Sequence, residues 1–180
     1  MDESFLDFAD EENVSLLSEN ILSENPNLYV VKSISKSYGI PGLRLGILAS
    51  GDADMIECLK KRVSIWNINS MAEFFMQILD KYKADYENSL REIKAERKRF
   101  FEALSQIKLL KVYPSQANYF MCELLDGSSS EKLVGGLLKN NFLIKDLTGK
   151  IRNGKQYIRV AIRDEKMNIQ FKEVLKKIII

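Results

Sequence analysis

Val30-Val31-Lys32-Ser33-Ile34-Ser35-Lys36-Ser37-Tyr38-Gly39-Ile40-Pro41-Gly42-Leu43-Arg44-Leu45-Gly46 is the stretch on which the reading of this 180-residue chain turns. A short apolar strand runs into a hydroxyl-rich segment carrying Lys36, and a glycine-punctuated loop follows, with Arg44 eight residues on. A lysine at a strand end beside apolar neighbours can have its pKa lowered, which makes it a nucleophilic amine able to form a Schiff base with an aldehyde. The hydroxyls of Ser33 and Ser35 and the guanidinium of Arg44 suit a phosphate, and Gly39, Gly42 and Gly46 let the backbone come close. These residue types together point to an aldehyde that bears a phosphate.

Composition narrows the field. An apolar fraction of 46% is enough for a core, and the length allows one large or two small domains. The net charge of +2, with acids and bases interspersed, gives no field that argues for nucleic acid or an anionic membrane. There is no histidine, and Cys58 and Cys122 lack metal-ligand spacing, so a metal site or a histidine-based triad is not expected. No apolar run approaches a membrane span, and a reducing cytoplasm is the expected setting.

Hydrophobic periodicity orders the rest of the chain. Val14, Leu17 and Ile21 predict a short helix within Asn13 to Asn25, stopped by Pro26. Strands are expected over Asn27 to Ile34 and Leu43 to Ala49, then a helix over Asp54 to Lys61 capped by Asp52, and another from Met71 to Lys81. From Tyr86 to Ile107 the apolar positions Leu90, Ile93, Phe100, Leu104 and Ile107 form one stripe. Arg91, Glu92, Lys94, Glu96, Lys98 and Arg99 are assigned to a solvated face, the mixed signs arguing against a nucleic-acid groove. Beyond it the chain reads as a compact α/β unit, with strands at Leu109 to Tyr113, Ala117 to Glu123 and Phe142 to Asp146, and a helix over Ser130 to Asn140. In Tyr157 to Arg163, Ile158, Val160 and Ile162 alternate with Arg159 and Arg163, and a final helix follows Asp164. Arginine in a half-buried strand needs an anion, and a carboxylate suits its forked donor geometry, so Arg159 is a substrate-binding candidate. Arg163 is either a second anion site or a partner for a nearby acid such as Glu165.

Ser33, Ser35, Lys36, Tyr38, Gly39, Gly42, Arg44 and Gly46 match the pattern Ser/Thr-x-Ser/Ala-Lys-x-Phe/Tyr-Gly-x-x-Gly-x-Arg-x-Gly. The chain thereby resembles the class I/II aminotransferases, the fold-type-I enzymes that use pyridoxal phosphate, and in particular the histidinol-phosphate aminotransferase and threonine-phosphate decarboxylase branch. The opening Asp2-Glu3-Ser4-Phe5-Leu6-Asp7-Phe8 is similar to the family's Asp-Glu-x-Tyr/Phe-x-x-Phe, and Ser115-Gln116-Ala117-Asn118-Tyr119-Phe120 to its Ser-x-Ala-Asn-Phe segment.

The resemblance implies an α/β fold: the C-terminal part of the large domain, with a mostly parallel sheet, over residues 1–85, and a linking helix with a small C-terminal α/β domain over 86–180. It implies Asp2 and Lys36 as catalytic residues, with Asp2 pairing with the pyridine nitrogen of the cofactor. Asp2, Phe5, Ser33, Ser35, Lys36 and Arg44 would bind pyridoxal 5'-phosphate, Phe5 standing where many members have a tyrosine that donates to the cofactor's phenolic oxygen. Arg159, Asn118 and Arg163 would bind substrate. Trp66 and Asn67 are read either as contacts with a partner subunit or as core packing. Implied partners are an amino acid, a 2-keto acid and a second copy in a homodimer, with neither nucleic acid nor membrane. The pattern present is the C-terminal half of the family's, so a fragment inactive alone is expected. Transamination through a Lys36 Schiff base is the leading reaction. Decarboxylation of the threonine-phosphate type, and a non-catalytic dimerisation module, are the alternatives.

Overall fold

The computed structural model describes residues 1–11, 15–125 and 127–179. The chain divides into two compact units, Met1–Leu90 and Arg91–Ile180.

In the first unit, β1 (Tyr29–Ser33) pairs antiparallel with β2 (Gly46–Ser50), from Tyr29 opposite Ser50 to Ser33 opposite Gly46. The Ser35–Arg44 loop returns the chain beside itself, which makes this pair antiparallel. On the other side of β1 the amino-terminal segment forms a parallel bridge between Asp2 and Val31. Among the described residues this bridge is the parallel element of the expected mostly parallel sheet.

Helix α1 (Glu19–Glu24) is shorter than its predicted range, because the hydroxyl of Ser18 accepts the Ile21 amide and fixes the start there. The expected beginning at Asn13 and Val14 lies outside the described residues. Helix α2 (Ala53–Lys60) starts where Asp52 caps it, accepting from Met55 N at 2.9 Å. Helix α3 (Ser70–Ile78) is capped by Asn69 and continues through a 3-10 turn, Leu79–Tyr82, into α4 (Lys83–Ser105).

The second unit contains the carboxyl-terminal part of α4 and an antiparallel sheet in the order β3-β4-β6-β5, with β3 Leu110–Val112, β4 Tyr119–Leu124, β5 Lys145–Asp146 and β6 Gln156–Ala161. Helices α5 (Ser130–Lys139) and α6 (Glu165–Ile179) complete it. Phe100, Leu104, Phe120, Cys122, Leu137, Ile158, Val160, Phe171 and Leu175 form one buried cluster. Burial of aromatic and branched side chains of this kind supplies most of the driving force for folding. The helical stripe is therefore as expected, but its polar side is not uniformly solvated. Glu96 is buried, accepting from Asn168 Nδ2 at 2.8 Å, and Arg97 is buried, donating to the Ala117 carbonyl at 3.3 Å. Among the described residues no helix is long and apolar enough to cross a membrane, and no group of acidic or cysteine side chains is placed to hold a metal ion.

Candidate active site

The amino-terminal segment is held on β1 by its backbone. Val31 N donates to Met1 O at 2.9 Å and Glu3 N to Val31 O at 2.8 Å, so the exposed Asp2 stands at a fixed register beside the strand. Hydrogen bonds from the side chain and amide of Ser4 outweigh a small desolvation cost, and the Lys36 ammonium adds to them, keeping the Asp2 carboxyl below its ordinary value. Glu3 points the other way and is buried, accepting from Leu16 N at 2.6 Å and Ser15 Oγ at 2.8 Å. The Ser4 hydroxyl accepts from Ser33 N at 2.9 Å, a second tie between this segment and the lysine strand.

Beyond β1 the chain winds into tight turns, with Tyr38 N donating to Ile34 O, Gly39 N to Lys36 O and Ile40 N to Ser35 O. Gly39 takes φ +66, a left-handed conformation that costs glycine little. Lys36 is exposed at the top of this turn, and its Nζ lies 4.1 Å from the centroid of the Phe5 ring. The apolar neighbour expected of a strand-end lysine is thus an aromatic face rather than a buried pocket. Ser35 is buried, its hydroxyl donating to Leu45 O at 3.3 Å, while Ser33 is half-buried.

Arg44 ends the 3-10 turn Pro41–Leu43 with φ 56, which delays β2 to Gly46 rather than the expected Leu43. Its exposed guanidinium donates to the Pro41 carbonyl at 3.2 Å. A non-glycine residue in this region is strained, and such strain gathers where a side chain must be aimed. Asn69 buttresses the loop, its Nδ2 donating to Leu43 O at 2.9 Å while its Oδ1 caps α3.

Asp2, Phe5, Ser33, Ser35, Lys36 and Arg44 are therefore presented by one unit, on the amino-terminal segment, the end of β1 and the loop before β2. Sequence reasoning missed Asp7, Lys32 and Tyr86. Lys32 Nζ pairs with Asp7 Oδ1 at 2.5 Å, and the Tyr86 hydroxyl donates to Asp7 Oδ2 at 2.8 Å. Burial pushes the Asp7 carboxyl up, but the hydrogen bonds from Lys32 and Tyr86 and the Lys32 charge leave it below its ordinary value. Burial, reinforced by that carboxylate, pushes the Tyr86 hydroxyl up. The signal available was an acid before Phe8 and a base in the strand, with no pattern to join them. Trp66 is 88% exposed, which removes its core-packing reading.

Asn118, Arg159 and Arg163 belong to the second unit. The alternation along β6 is as predicted, Ile158 and Val160 entering the core, with Ile162 buried just beyond the strand. Arg159 is exposed rather than half-buried, so the burial argument for an obligatory anion does not hold. Its guanidinium lies 4.9 Å from the Tyr119 ring centroid. Arg163 is exposed, and its main chain is clasped by Asn168, which accepts from Arg163 N and donates to Arg163 O. The carbonyl of Asn118 accepts from Ile162 N at 2.9 Å, fixing Asn118 beside the end of β6.

The model for the family "aminotransferase class I and II" matches residues 1–171. The chain belongs to this family. Pyridoxal phosphate is the family's cofactor, and the donor set of the first unit fits it, with an accessible amine for an aldehyde, a carboxylate for a ring nitrogen, and a guanidinium with neighbouring hydroxyls for a phosphate. Among relatives, an L-serine phosphate decarboxylase of Campylobacter jejuni is 36% identical over 168 residues, covering 91% of this chain and 43% of the relative. The threonine-phosphate decarboxylase of Salmonella typhimurium is 30% identical, covering 99% of this chain and 48% of the relative. The crystal structure of the histidinol-phosphate aminotransferase from Clostridium acetobutylicum superimposes with a TM-score of 0.90 at 31% identity, over 99% of this chain and 53% of that one. The chain spans about half the length of these family members. The fold is that of the family's fold-type-I enzymes, α/β with mixed sheets.

Proposed function

We propose that this chain is the lysine-bearing part of a pyridoxal-phosphate-dependent aminotransferase that moves an amino group between an amino acid and a 2-keto acid. The observation that carries the reading is the exposed Lys36 amine on the Phe5 ring, on the same unit as the Asp2 carboxylate and the strained, exposed Arg44. When bound, the cofactor supplies an aldehyde and an electron-withdrawing ring. Lys36 would hold the cofactor through its aldehyde and, as a free amine, would act as the base that moves a proton at the substrate α-carbon. Asp2, with its lowered pKa, stays anionic and keeps the ring nitrogen protonated. Arg44 anchors the phosphate with Ser33, and Ser35 braces the loop through Leu45. Phe5, which has no hydroxyl, would contact the cofactor without donating to it. Arg159 orients the carboxylate, with Asn118 beside the substrate and Arg163 as a second anion site. The same reading carries a homodimer and a cytoplasmic setting.

Decarboxylation of a phosphorylated amino acid is a second reading, supported by 36% identity to the L-serine phosphate decarboxylase. The two would differ in how Arg159 orients the substrate through its carboxylate. The test is an absorbance spectrum, with pyridoxal phosphate, of a protein that carries this chain at the full length of its relatives, repeated for Lys36→Ala, followed by product analysis with phosphorylated and plain amino acids. A visible-edge band lost in the variant, with a keto acid formed, supports the first reading, and released carbon dioxide supports the second. Absence of the band from the unsubstituted protein overturns both and favours a non-catalytic dimerisation module.

A further inference from the structure

The residues around Asp7 make a circuit that runs back to the candidate catalytic amine. The Asp7 carboxylate is shared, one oxygen with Lys32 and the other with Tyr86, and the Lys32 and Asp7 side chains are only 16% and 17% exposed. The Tyr86 ring lies flat on Tyr38, with centroids 3.9 Å apart and planes 1° from parallel. Tyr38 is two residues after Lys36, the Lys36 ammonium sits on the Phe5 ring, and Phe5 is two residues before Asp7. Contacts and chain together thus close on themselves through Asp7, Tyr86, Tyr38, Lys36 and Phe5. Lys32, on β1 four residues before Lys36, braces the circuit from within. Phe75 makes a T-shaped contact with Tyr38, their centroids 5.9 Å apart, so Tyr38 is packed by a second ring besides Tyr86.

We propose that Asp7 is a positioning residue for Lys36, setting the place of its amine through Tyr86 and Tyr38 on one flank and through Phe5 on the other. The inference rests on the reading of Lys36 as the cofactor lysine. A half-buried ion pair stabilises any fold, but here the contacts of the shared carboxylate pass through groups on both sides of one amine. Removal of the carboxylate leaves Lys32 with a mostly buried, unpaired charge and Tyr86 with an unused donor. Both side chains then move toward water, the stacked pair loosens, and the turn carrying Lys36 gains freedom. Misplacement of a reacting group by a fraction of its reach is costly, on the order of a hundredfold for about 1 Å.

The experiment uses Asp7→Asn, Asp7→Glu and Tyr86→Phe, the last keeping the aromatic ring and removing only the hydroxyl that ties it to Asp7. Each is studied at a temperature where circular dichroism shows it folded. Two rates are read: acylation of Lys36 by acetic anhydride in cofactor-free protein, relative to the other lysines by peptide mass spectrometry, and attachment of pyridoxal phosphate to Lys36, by absorbance and borohydride trapping. Release from the Phe5 face raises the relative acylation of Lys36 about threefold or more in Asp7→Asn and Tyr86→Phe. Attachment slows by about tenfold or more in the same variants, and Asp7→Glu returns both rates toward the original. Folded variants whose acylation rate at Lys36 is unchanged or lower overturn the inference and leave Asp7 a stabilising residue only. If the unsubstituted protein attaches no pyridoxal phosphate at Lys36 while acylation still rises in the variants, the positioning role stands and the proposed function falls.

Discussion

The side-chain amide of Asn168 donates to the buried carboxylate of Glu96 at 2.8 Å, joining helices α6 and α4 across 72 residues of sequence. The same amide closes on the main chain of Arg163, so Asn168 serves a carboxylate, an amide and a carbonyl at once. Asn168→Leu keeps the volume roughly and removes every donor and acceptor. Glu96 keeps its exposed partner Arg99 at 2.7 Å but loses its buried donor. The expected cost is about 2–3 kcal/mol, read as a lower urea midpoint with unchanged slope. A loss under about 0.5 kcal/mol, the scale of a plain surface change, would mean that the buried carboxylate is satisfied without Asn168.

Asp7 gives the first unit an acid limb. Its folded-state pKa is depressed below 3.8, with Lys32 and Tyr86 on its two oxygens and Tyr38 behind Tyr86. A carboxyl of that kind contributes stability that is fully present above the unfolded value and lost as pH falls through the folded one. Thermal midpoints measured from neutral pH down to about pH 3 should therefore fall for the original protein as Asp7 takes up its proton. Asp7→Asn should start lower and fall less steeply over the same window. Parallel curves for the two proteins would show that Asp7 does not titrate differently on folding.

What could be read in advance was local. Asp52 follows Ser50-Gly51 and precedes an apolar period, and it caps α2 as a short acceptor in that place must. The alternation in β6 told which residues share a face, and Ile158 and Val160 are buried accordingly. Alternation does not tell whether the other face is covered, and Arg159 was wrongly expected to be half-buried for that reason. The residues between Lys81 and Tyr86 read as a gap between helices, whereas the 3-10 turn Leu79–Tyr82 runs directly into α4 at Lys83. The lysine loop was legible because its residue types act within a few positions of one another. The Asp7 contacts were not, since Lys32 lies 25 residues away and Tyr86 79, and no periodicity links them.

Two glycines separate a backbone clash from a side-chain contact. A methyl group at Gly51 would sit 2.1 Å from the carbonyl oxygen of Leu22, where α1 passes the end of β2. At Gly136, within α5, it would meet the Ile178 side chain at 3.0 Å. Backbone cannot step aside without moving α1, so Gly51→Ala should cost about 3 kcal/mol. Gly136→Ala gains about 1 kcal/mol of helix propensity against a modest shift of Ile178, and should fall within about 1 kcal/mol of neutral. Chemical denaturation of both checks the contrast, and equal losses would mean that the Leu22 carbonyl relaxes freely.

Arg44 separates stability from ligand binding at a single position. Its φ of 56 is unfavourable for a residue with a Cβ, by roughly 1–2 kcal/mol, whereas glycine adopts it with little cost. The exposed guanidinium contributes one hydrogen bond, to the Pro41 carbonyl, which solvent can replace. Arg44→Gly should therefore leave the protein as stable as before or raise the unfolding free energy by up to about 1 kcal/mol. If Arg44 holds the cofactor's phosphate, the same change weakens binding of pyridoxal phosphate by about tenfold or more, the loss of one charge-assisted pair, while pyridoxal lacking the phosphate binds as before. Arg44→Lys keeps the charge and the strain but not the fork, and should fall between the two in affinity with no gain in stability. Equal loss of affinity for both aldehydes would place the effect in the loop rather than in phosphate recognition, and a drop in stability for Arg44→Gly would show that the left-handed turn depends on the arginine side chain.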